Sequence, residues 1–517
     1  MLTEFKNQSY TDFSVPENKE RMEEELKKAE SNFGKEYDLY IGGNWVKAAD
    51  KFESRNPSNK DELIGVFQKG SSKEVDMAIA AGLKAFESWK WVPAKERAAV
   101  LLRASQIMQR RRIEIDAWMV LEEGKNWLEA DADVAEAIDF LEFYAREMLR
   151  YGAPQPVTPV PGELPELFYI PLGMGAVIPP WNFPMAILTG MTSAAIVTGN
   201  TVLLKPASDA PKMGHLFTEI MIEAGLPEGV LNYVTGGGAS IGDYIVKHPK
   251  IRFISFTGSR DVGLRINELA AKHQKGQIWI KRVIAEMGGK DALIVDAETD
   301  LEKAATATIA SAYGFQGQKC SAGSRVIVHQ DVYNEFVDLL VQKASKITVG
   351  PVKDPKNYMG PVINQAALEK VMYYVEIGKN EGKLVYGGKK IEGNGYFVEP
   401  TIIKDLSRDS RVAQEEIFGP VLAVIKANDF ADAIDIANST EYGLTGAAWS
   451  TNRDHILKAK NEFHVGNLYI NRKCTGALVG GHPFGGFNMS GTDSKAGGRD
   501  YLLLFMQAKS VSEKLDY

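Results

Sequence analysis

The chain has 517 residues, too long for one hydrophobic core; at about 150 residues per domain it implies roughly three. Hydrophobic residues make up 44% and charged residues 25%, the balance of a globular protein rather than a disordered or fibrous one. Lys and Arg total 60 against 67 Asp and Glu, a formal net charge of −7, which excludes a generally basic nucleic-acid binder. Only two cysteines occur, Cys320 and Cys474, so a disulfide framework and multi-cysteine metal centres are excluded as well. A reduced, cytoplasmic setting fits, with either thiol free to react.

The N-terminus has no apolar core after a basic start and does not read as a signal peptide. Pro16 followed by Met22, Leu26, Ala29 and Phe33, closed by Gly34, predicts an amphipathic helical arm packing on something larger. LYIGGNW reads as a short hairpin turning at Gly42 and Gly43. Ser71 with Glu74 forms a capping box for a helix through Trp89, and 94–112 carries a second helix. Arg110, Arg111 and Arg112 at its end read as complements to the helix dipole rather than a nucleic-acid patch. The longest uncharged stretch, 167–204, is broken by Pro171, Pro179, Pro180 and Pro184 and by Asn182 and Asn200. It therefore reads as buried strand, turn and helix rather than a membrane span.

From residue 175 short β-branched runs (GAVIPP, TVLLK, GVLNYV, IRFISF) alternate with helical stretches such as 212–224 and 262–273. That alternation predicts an α/β fold with a parallel sheet wrapped on both faces, whose ligands sit beyond the carboxyl ends of the strands. The residues at those ends are Trp181 and Asn182, then Lys205 to Ser208, then Gly236 to Gly238, then Thr257, Gly258 and Ser259. Each group is polar or glycine-rich, as a nucleotide site requires. Neither the GxGxxG spacing nor the Lys-Ser/Thr of a P-loop is present, which disfavours a P-loop phosphotransferase. A second strand–helix region runs from DALIVD to HPFGGF, and VTPVPGELPELFYIPL reads as a hairpin excursion.

Two residues carry chemistry. Cys320 lies in FQGQKCSAGSR, among polar neighbours and glycines unlike those of a core cysteine, with Lys319 placed to favour a thiolate. Glu286 follows an apolar strand and precedes Gly288 and Gly289, a setting that raises a carboxylate's pKa beside open backbone. Together they suggest covalent catalysis on a carbonyl: thiolate attack, an oxyanion held by Asn182 and the Cys320 N–H, and water activated by a base. The seven histidines are scattered, none near Cys320 in sequence and no pair at metal-ligand spacing, so no metal site is expected.

PWNFP (180–184), LLKPAS (203–208), GLPEGVLNYVTG (225–236), FTGSRDVG (256–263), AEMGGKD (285–291), GQKCSA (317–322), EEIFGPV (415–421) and PFGGFNMSG (483–491) resemble, in order and spacing, the aldehyde dehydrogenase superfamily. The likeness runs from about residue 38 to the end. The arm before residue 38, the segments 130–151 and 312–322, EFHVGNLYINRKCTGALVG (462–480) and FGGFNMSGTDSKAGG (484–498) resemble the stand-alone branch acting on L-glutamate γ-semialdehyde. The resemblance implies a Rossmann-like cofactor domain (38–151 and 173–287), an α/β catalytic domain (288–488), a helical arm (1–37) and oligomerisation elements (152–172 and 489–517). It also implies NAD-dependent oxidation of a small-molecule aldehyde by a homo-oligomer that needs neither nucleic acid nor membrane.

By the same resemblance Cys320 is the nucleophile, Glu286 the deacylating base and Asn182 an oxyanion donor. Lys205 and Ser208 would lie at the adenosine ribose, Gly236, Thr257, Gly258 and Ser259 near the pyrophosphate, Glu416 at the nicotinamide ribose. Pro180, Trp181 and Phe418 would line the nicotinamide end. Ser321, Gly476 and Ala477 would anchor the substrate's α-carboxylate, with Phe183 and Phe484 flanking its chain. Many relatives carry glutamate where Ser208 stands, so repulsion of a 2′-phosphate is lost and NADP tolerance stays open beside NAD. Cys474 is expected to be structural, a redox pair with Cys320 being the lesser reading. The alternatives are another ω-semialdehyde such as succinic semialdehyde, an inactive cofactor-binding protein, or a cysteine thioesterase.

Overall fold

A computed structural model describes residues 3–515. Two seven-stranded sheets dominate. The first runs in the order Arg282–Glu286, Phe253–Thr257, Met174–Ile178, Thr201–Leu204, Leu231–Tyr233, Leu39–Ile41, Asn44–Val46. Its first five strands are parallel, and all but the Arg282–Glu286 edge strand and the last residue of Met174–Ile178 are buried throughout, which is why they read as unbroken apolar runs. The hairpin closes that edge: Gly42 and Gly43 take φ of 59° and 94°, and Tyr40 pairs with Tyr233. Such a two-residue turn needs positive φ at both positions, which glycine supplies without strain.

The second sheet is ordered Lys383–Tyr386, Thr401–Leu406, Val421–Ala427, Gly323–His329, Asp291–Val295, Thr445–Trp449, Asn467–Ile470, parallel except for the first, antiparallel edge strand. A small sheet of Glu36–Tyr37, Leu63–Lys69 and Asp50–Arg55 stands apart from both, so part of 38–151 does not join the cofactor sheet. It leans on the second sheet's side of the molecule, where the Lys60 N–H donates to Asn394 O at 2.9 Å.

Helices cover the first sheet. The predicted capping box is present: the Ser71 hydroxyl accepts from the Lys73 N–H and Glu74 accepts from the Ser71 N–H at 2.8 Å, starting Ser72–Trp89. The helix expected over 94–112 ends at Arg110, and Arg112–Glu122 is a separate helix. Arg111, at φ −91° and ψ 9°, breaks the run. Arg112 opens the next helix because its guanidinium binds buried Asp131 at 2.6 Å, a tertiary pull that no local pattern announces. Arg110 and Arg111 meet Glu223 and Glu219 across the helix gap, so all three arginines are engaged by carboxylates.

The uncharged stretch resolves into strand Met174–Ile178, a turn, helix Ala186–Val197 and strand Thr201–Leu204. The helix is buried all round except at Ile187. Among the described residues no helix is long and apolar enough to cross a membrane. The arm forms Pro16–Glu30 and buries Met22, Leu26 and Ala29 in the main core. The 152–172 excursion turns back through a Gln155–Leu167 bridge, but its principal partner is remote. Glu163–Pro171 pairs antiparallel with Met506–Lys514 over its whole length, making a two-stranded ribbon.

Candidate active site

Strand order in the first sheet reverses between Met174–Ile178 and Phe253–Thr257, and ligands of such sheets bind at that point. The segments leaving these two strands are 179–182 and 258–259. Only residues 287–290 separate Glu286, the last residue of the first sheet, from Asp291, the first of the second sheet's initial strand. The carboxyl ends of one sheet therefore open toward the amino ends of the other, and Cys320 lies just before Gly323–His329 at such an end.

Cys320 follows a turn in which Phe315, Gln316 and Gly317 have φ of 47°, 57° and 68°. Left-handed backbone at the two non-glycine residues costs about 1–3 kcal/mol each and persists only where the surroundings fix it. Gln316 does so, its amide donating to the carbonyls of Gly124 (3.0 Å) and Pro361 (2.8 Å). Gln318 gives its carbonyl to the Asn182 amide at 3.0 Å, which leaves Asn182 a second N–H for another acceptor. The Cys320 N–H has no partner among the described residues.

The two glycines after Glu286 explain the convergence. A Cβ on Gly289 would stand 2.5 Å from the Cys320 carbonyl, and one on Gly288 2.4 Å from a Glu416 carboxylate oxygen. No other residue type permits both approaches. The Gly289 N–H donates to Glu416 at 3.0 Å. Glu286 is buried; one oxygen is bound by the Ser494 hydroxyl and the other has no partner. Burial pushes its carboxyl up to about 7, against the pull of Ser494, Gly486 and Lys495. Burial, then the charges of Asp291, Glu286 and Glu416, push the Cys320 thiol well above its ordinary value. Lys319 does not act as the sequence suggests. Its ammonium is bound by both oxygens of Glu129, at 2.7 and 2.6 Å, and no longer serves the thiol.

The candidate cofactor residues line one side of this crevice. Lys205 is buried with only the Pro206 carbonyl at 3.3 Å for a partner, and burial pulls its ammonium down to about 8. Ser208 donates to the carbonyl of Gly236 at 3.4 Å. Thr257 ends its strand, its hydroxyl toward Met191, and Gly258 donates to the Glu286 carbonyl at 3.1 Å. Ser259 caps Arg260–Ala271 by backbone alone, with no side-chain bond, so the helix's first N–H groups remain free. Trp181 stands edge-on to Phe418 at 5.5 Å between ring centres, and Phe418 is itself left-handed at φ 62°. Pro180 sits beside Trp181 in the turn.

On the other side, Phe183 lies under the Lys125 ammonium, 4.1 Å from the ring centre. Phe484 pairs with Ala496 in the loop that wraps Glu286. The Ser321 carbonyl accepts from the Cys474 thiol at 3.4 Å, tying the start of the 474–480 loop to the nucleophile's neighbour. Gly476 in that loop is left-handed (φ 77°) and exposed. Cys474 is fully buried and free, like Cys320 unbridged.

Three supporting residues escape a sequence reading. Ser494 holds Glu286, Glu129 holds Lys319, and Asp133 both binds Lys125 (2.6 Å) and accepts the Ala186 N–H (2.6 Å) that opens helix Ala186–Val197. Each acts across dozens to hundreds of residues. The one available hint is charge set in apolar helical runs, as in VLEEGKNW and ADADVAEAI.

A nucleotide crevice between two parallel sheets, with a cysteine, an amide and a buried glutamate at one point, defines a covalent oxidoreductase of carbonyl substrates. The chain belongs to the aldehyde dehydrogenase family, which its residues 45–511 match. It is 55% identical to the 1-pyrroline-5-carboxylate dehydrogenase of Geobacillus thermodenitrificans (strain NG80-2) over 513 residues, 99% of this chain and 100% of that one. The solved structure of 1-pyrroline-5-carboxylate dehydrogenase from Thermus with bound NAD is similar at TM-score 0.98 and 50% identity, covering 99% of each chain. A betaine aldehyde dehydrogenase from Staphylococcus aureus in complex with NAD+ follows at TM-score 0.90 and 28% identity, over 96% of this chain and 98% of that one.

Proposed function

We propose that this chain oxidises L-glutamate γ-semialdehyde, the open form of 1-pyrroline-5-carboxylate, to L-glutamate with NAD, in proline and arginine catabolism. The observation that carries the reading is that Gly289 admits the Cys320 backbone just beyond Glu286 while Asn182 binds the carbonyl two residues before the thiol, in a chain 55% identical over 99% of its length to a 1-pyrroline-5-carboxylate dehydrogenase.

The residues present fit a dinucleotide. Lys205 is a buried cation short of partners, the free N–H groups at Ser259 suit a pyrophosphate, and Glu416 keeps one oxygen clear of the Gly289 N–H. Lys205, Ser208 and Gly236 would hold the adenosine ribose; Thr257, Gly258 and Ser259 the pyrophosphate; Glu416 the nicotinamide ribose, with Pro180, Trp181 and Phe418 beside the ring. NAD, when bound, accepts hydride from the substrate carbon. Ser208 offers no carboxylate to repel a 2′-phosphate, so NADP is taken as well, less well than NAD.

Cys320 begins as a thiol, because burial and three carboxylates oppose its ionisation. Glu286, near neutrality and with a free oxygen, takes the proton as sulfur bonds to the aldehyde carbon. The second Asn182 N–H and the Cys320 N–H hold the oxyanion. Once the carbon is oxidised, a thioester remains on Cys320. Glu286 gives that first proton to solvent and then takes one from the attacking water; the hydroxide adds to the thioester, and the C–S bond breaks to release L-glutamate as the proton on Glu286 returns to the Cys320 sulfur. The substrate's α-carboxylate rests on Ser321, Gly476 and Ala477, and its methylenes lie between Phe183 and Phe484.

Two unbridged thiols suit a cytoplasmic protein, and the exposed ribbon of Glu163–Pro171 and Met506–Lys514 suits a homo-oligomer. The test is kcat/KM for glutamate γ-semialdehyde and succinic semialdehyde, each with NAD and NADP. Preference for glutamate γ-semialdehyde with NAD is expected; preference for succinic semialdehyde overturns the substrate assignment.

A further inference from the structure

Among the described residues, the N–H groups of Gly476 and Ala477 have no hydrogen-bond partner. The carbonyls of the same two peptide units do. Arg472 donates from one guanidinium nitrogen to Thr475 O and Gly476 O, both at 2.9 Å. That guanidinium is itself fixed, lying 4.3 Å from the centre of the Tyr469 ring. Every peptide bond described is trans, so each N–H points opposite the carbonyl of its own unit. Binding Thr475 O turns the Gly476 N–H away from Arg472, and binding Gly476 O does the same to Ala477. Left-handed Gly476 (φ 77°) lets the two point together, the arrangement of an anion-binding nest. The Thr475 hydroxyl, buried and without a partner, adds a donor to the same loop. The Cys474 thiol on the Ser321 carbonyl keeps this loop against the nucleophile's neighbour.

We propose that Arg472 is a specificity-determining positioning residue: it clamps the outer carbonyls of the 475–477 loop so that its inner N–H groups are preset for the substrate's α-carboxylate. Arg472 does not touch substrate. It removes the freedom of two peptide units that would otherwise rotate, so the carboxylate meets a formed site. The inference rests on the assignment of Gly476 and Ala477 as the carboxylate anchor. Lysine at 472 keeps the charge but is shorter and lacks the planar group that the Tyr469 ring holds in place, so it does not seat one nitrogen on both carbonyls.

The experiment compares wild type, Arg472→Ala and Arg472→Lys on glutamate γ-semialdehyde and on butanal, which has no carboxylate. Misaligning two charge-assisted hydrogen bonds is expected to raise KM for glutamate γ-semialdehyde about tenfold or more in both variants. The kcat, the KM for NAD and kcat/KM for butanal stay within about twofold of wild type, since none depends on the carboxylate. Restoration of the wild-type KM by lysine shows that charge alone acts and overturns the proposal. So does an equal loss on both aldehydes, or no loss at all. Wild type that handles butanal as well as glutamate γ-semialdehyde instead removes the anchor assignment itself.

Discussion

In the proposed reaction Cys320 and Glu286 divide the chemistry, and each predicts a distinct failure. Cys320→Ala is expected to abolish NADH formation while the variant still binds NAD, read by absorbance and by ligand-induced thermal shift; near-normal turnover would sink the covalent mechanism. Glu286→Gln is expected to slow the first turnover and to slow deacylation more, so that at high enzyme concentration NADH rises slowly to no more than one per site and then stalls as thioester accumulates. Continued turnover at the slowed first-turnover rate, with no stall after one NADH per site, places Glu286 before hydride transfer only. The proposed reaction uses Glu286 as a base, so its deprotonated form is needed. With burial holding it at about 7, the steady-state rate of wild type rises through neutral pH and is lost below it. Both residues stood out in the sequence, Cys320 by its polar neighbours and Glu286 by the glycines after it. The expected help from Lys319 failed because Glu129, 190 residues away, already binds it.

Among the elements, helix Ala186–Val197 positions Asn182, the proposed oxyanion donor. Asn182 stands one turn before it, and the helix's first N–H is held by Asp133, which also neutralises Lys125 over the Phe183 ring. Lys125 and Asp133 are both fully buried, so Asp133→Ala leaves an uncompensated cation and is expected to cost about 3–5 kcal/mol by urea unfolding. An Asp133→Asn variant that folds should lose kcat on every aldehyde alike, since the oxyanion loop serves them all. A loss confined to one aldehyde contradicts that role. Helix and strand existence was largely legible here: the capping box, the glycine turn and the apolar strand runs all stand where the residues put them. The break at Arg111 was not, because the reason for it is Asp131, outside any local window.

At the scale of the molecule, buried carboxylates set an acid-side preference. Burial, the leading cause in each, raises Glu122 and Glu286 to about 7, Glu136 to about 8 and Asp139 to about 6. The folded form thus keeps protons that the unfolded chain releases from about pH 4 upward, and stability falls as pH rises through these values. Buried Lys290, held at about 7, and Lys205 and Lys212, held at about 8, act in the opposite sense: as pH rises through those values they release protons that the unfolded chain still holds. The melting temperature should therefore decline from about pH 5 to pH 7 and flatten above it, and Glu136→Gln should shrink the decline. A flat profile across that range removes the argument. The ribbon is the other whole-molecule feature. Leu164 is 47% exposed on it, and Leu164→Glu is expected to shift the protein to a smaller species by light scattering; a monomeric wild type refutes the assembly.

Composition, pattern and the resemblance of the motifs determined the class of fold, the family, Cys320 as the candidate nucleophile and the residues at the strand ends, since each is a local property of residue type and spacing. Only the tertiary structure decided which of them meet. Gly288 and Gly289 admit Cys320 and Glu416 from 31 and 127 residues on, Ser494 reaches Glu286, and the C-terminal strand completes a ribbon begun near residue 163. The two lone thiols that first excluded disulfides end in different places for the same reason. Cys320 sits where two sheets open toward each other, and Cys474 is buried behind it, spending its proton on the Ser321 carbonyl. Contacts between distant segments depend on how whole sheets stack, and no window of sequence carries that information.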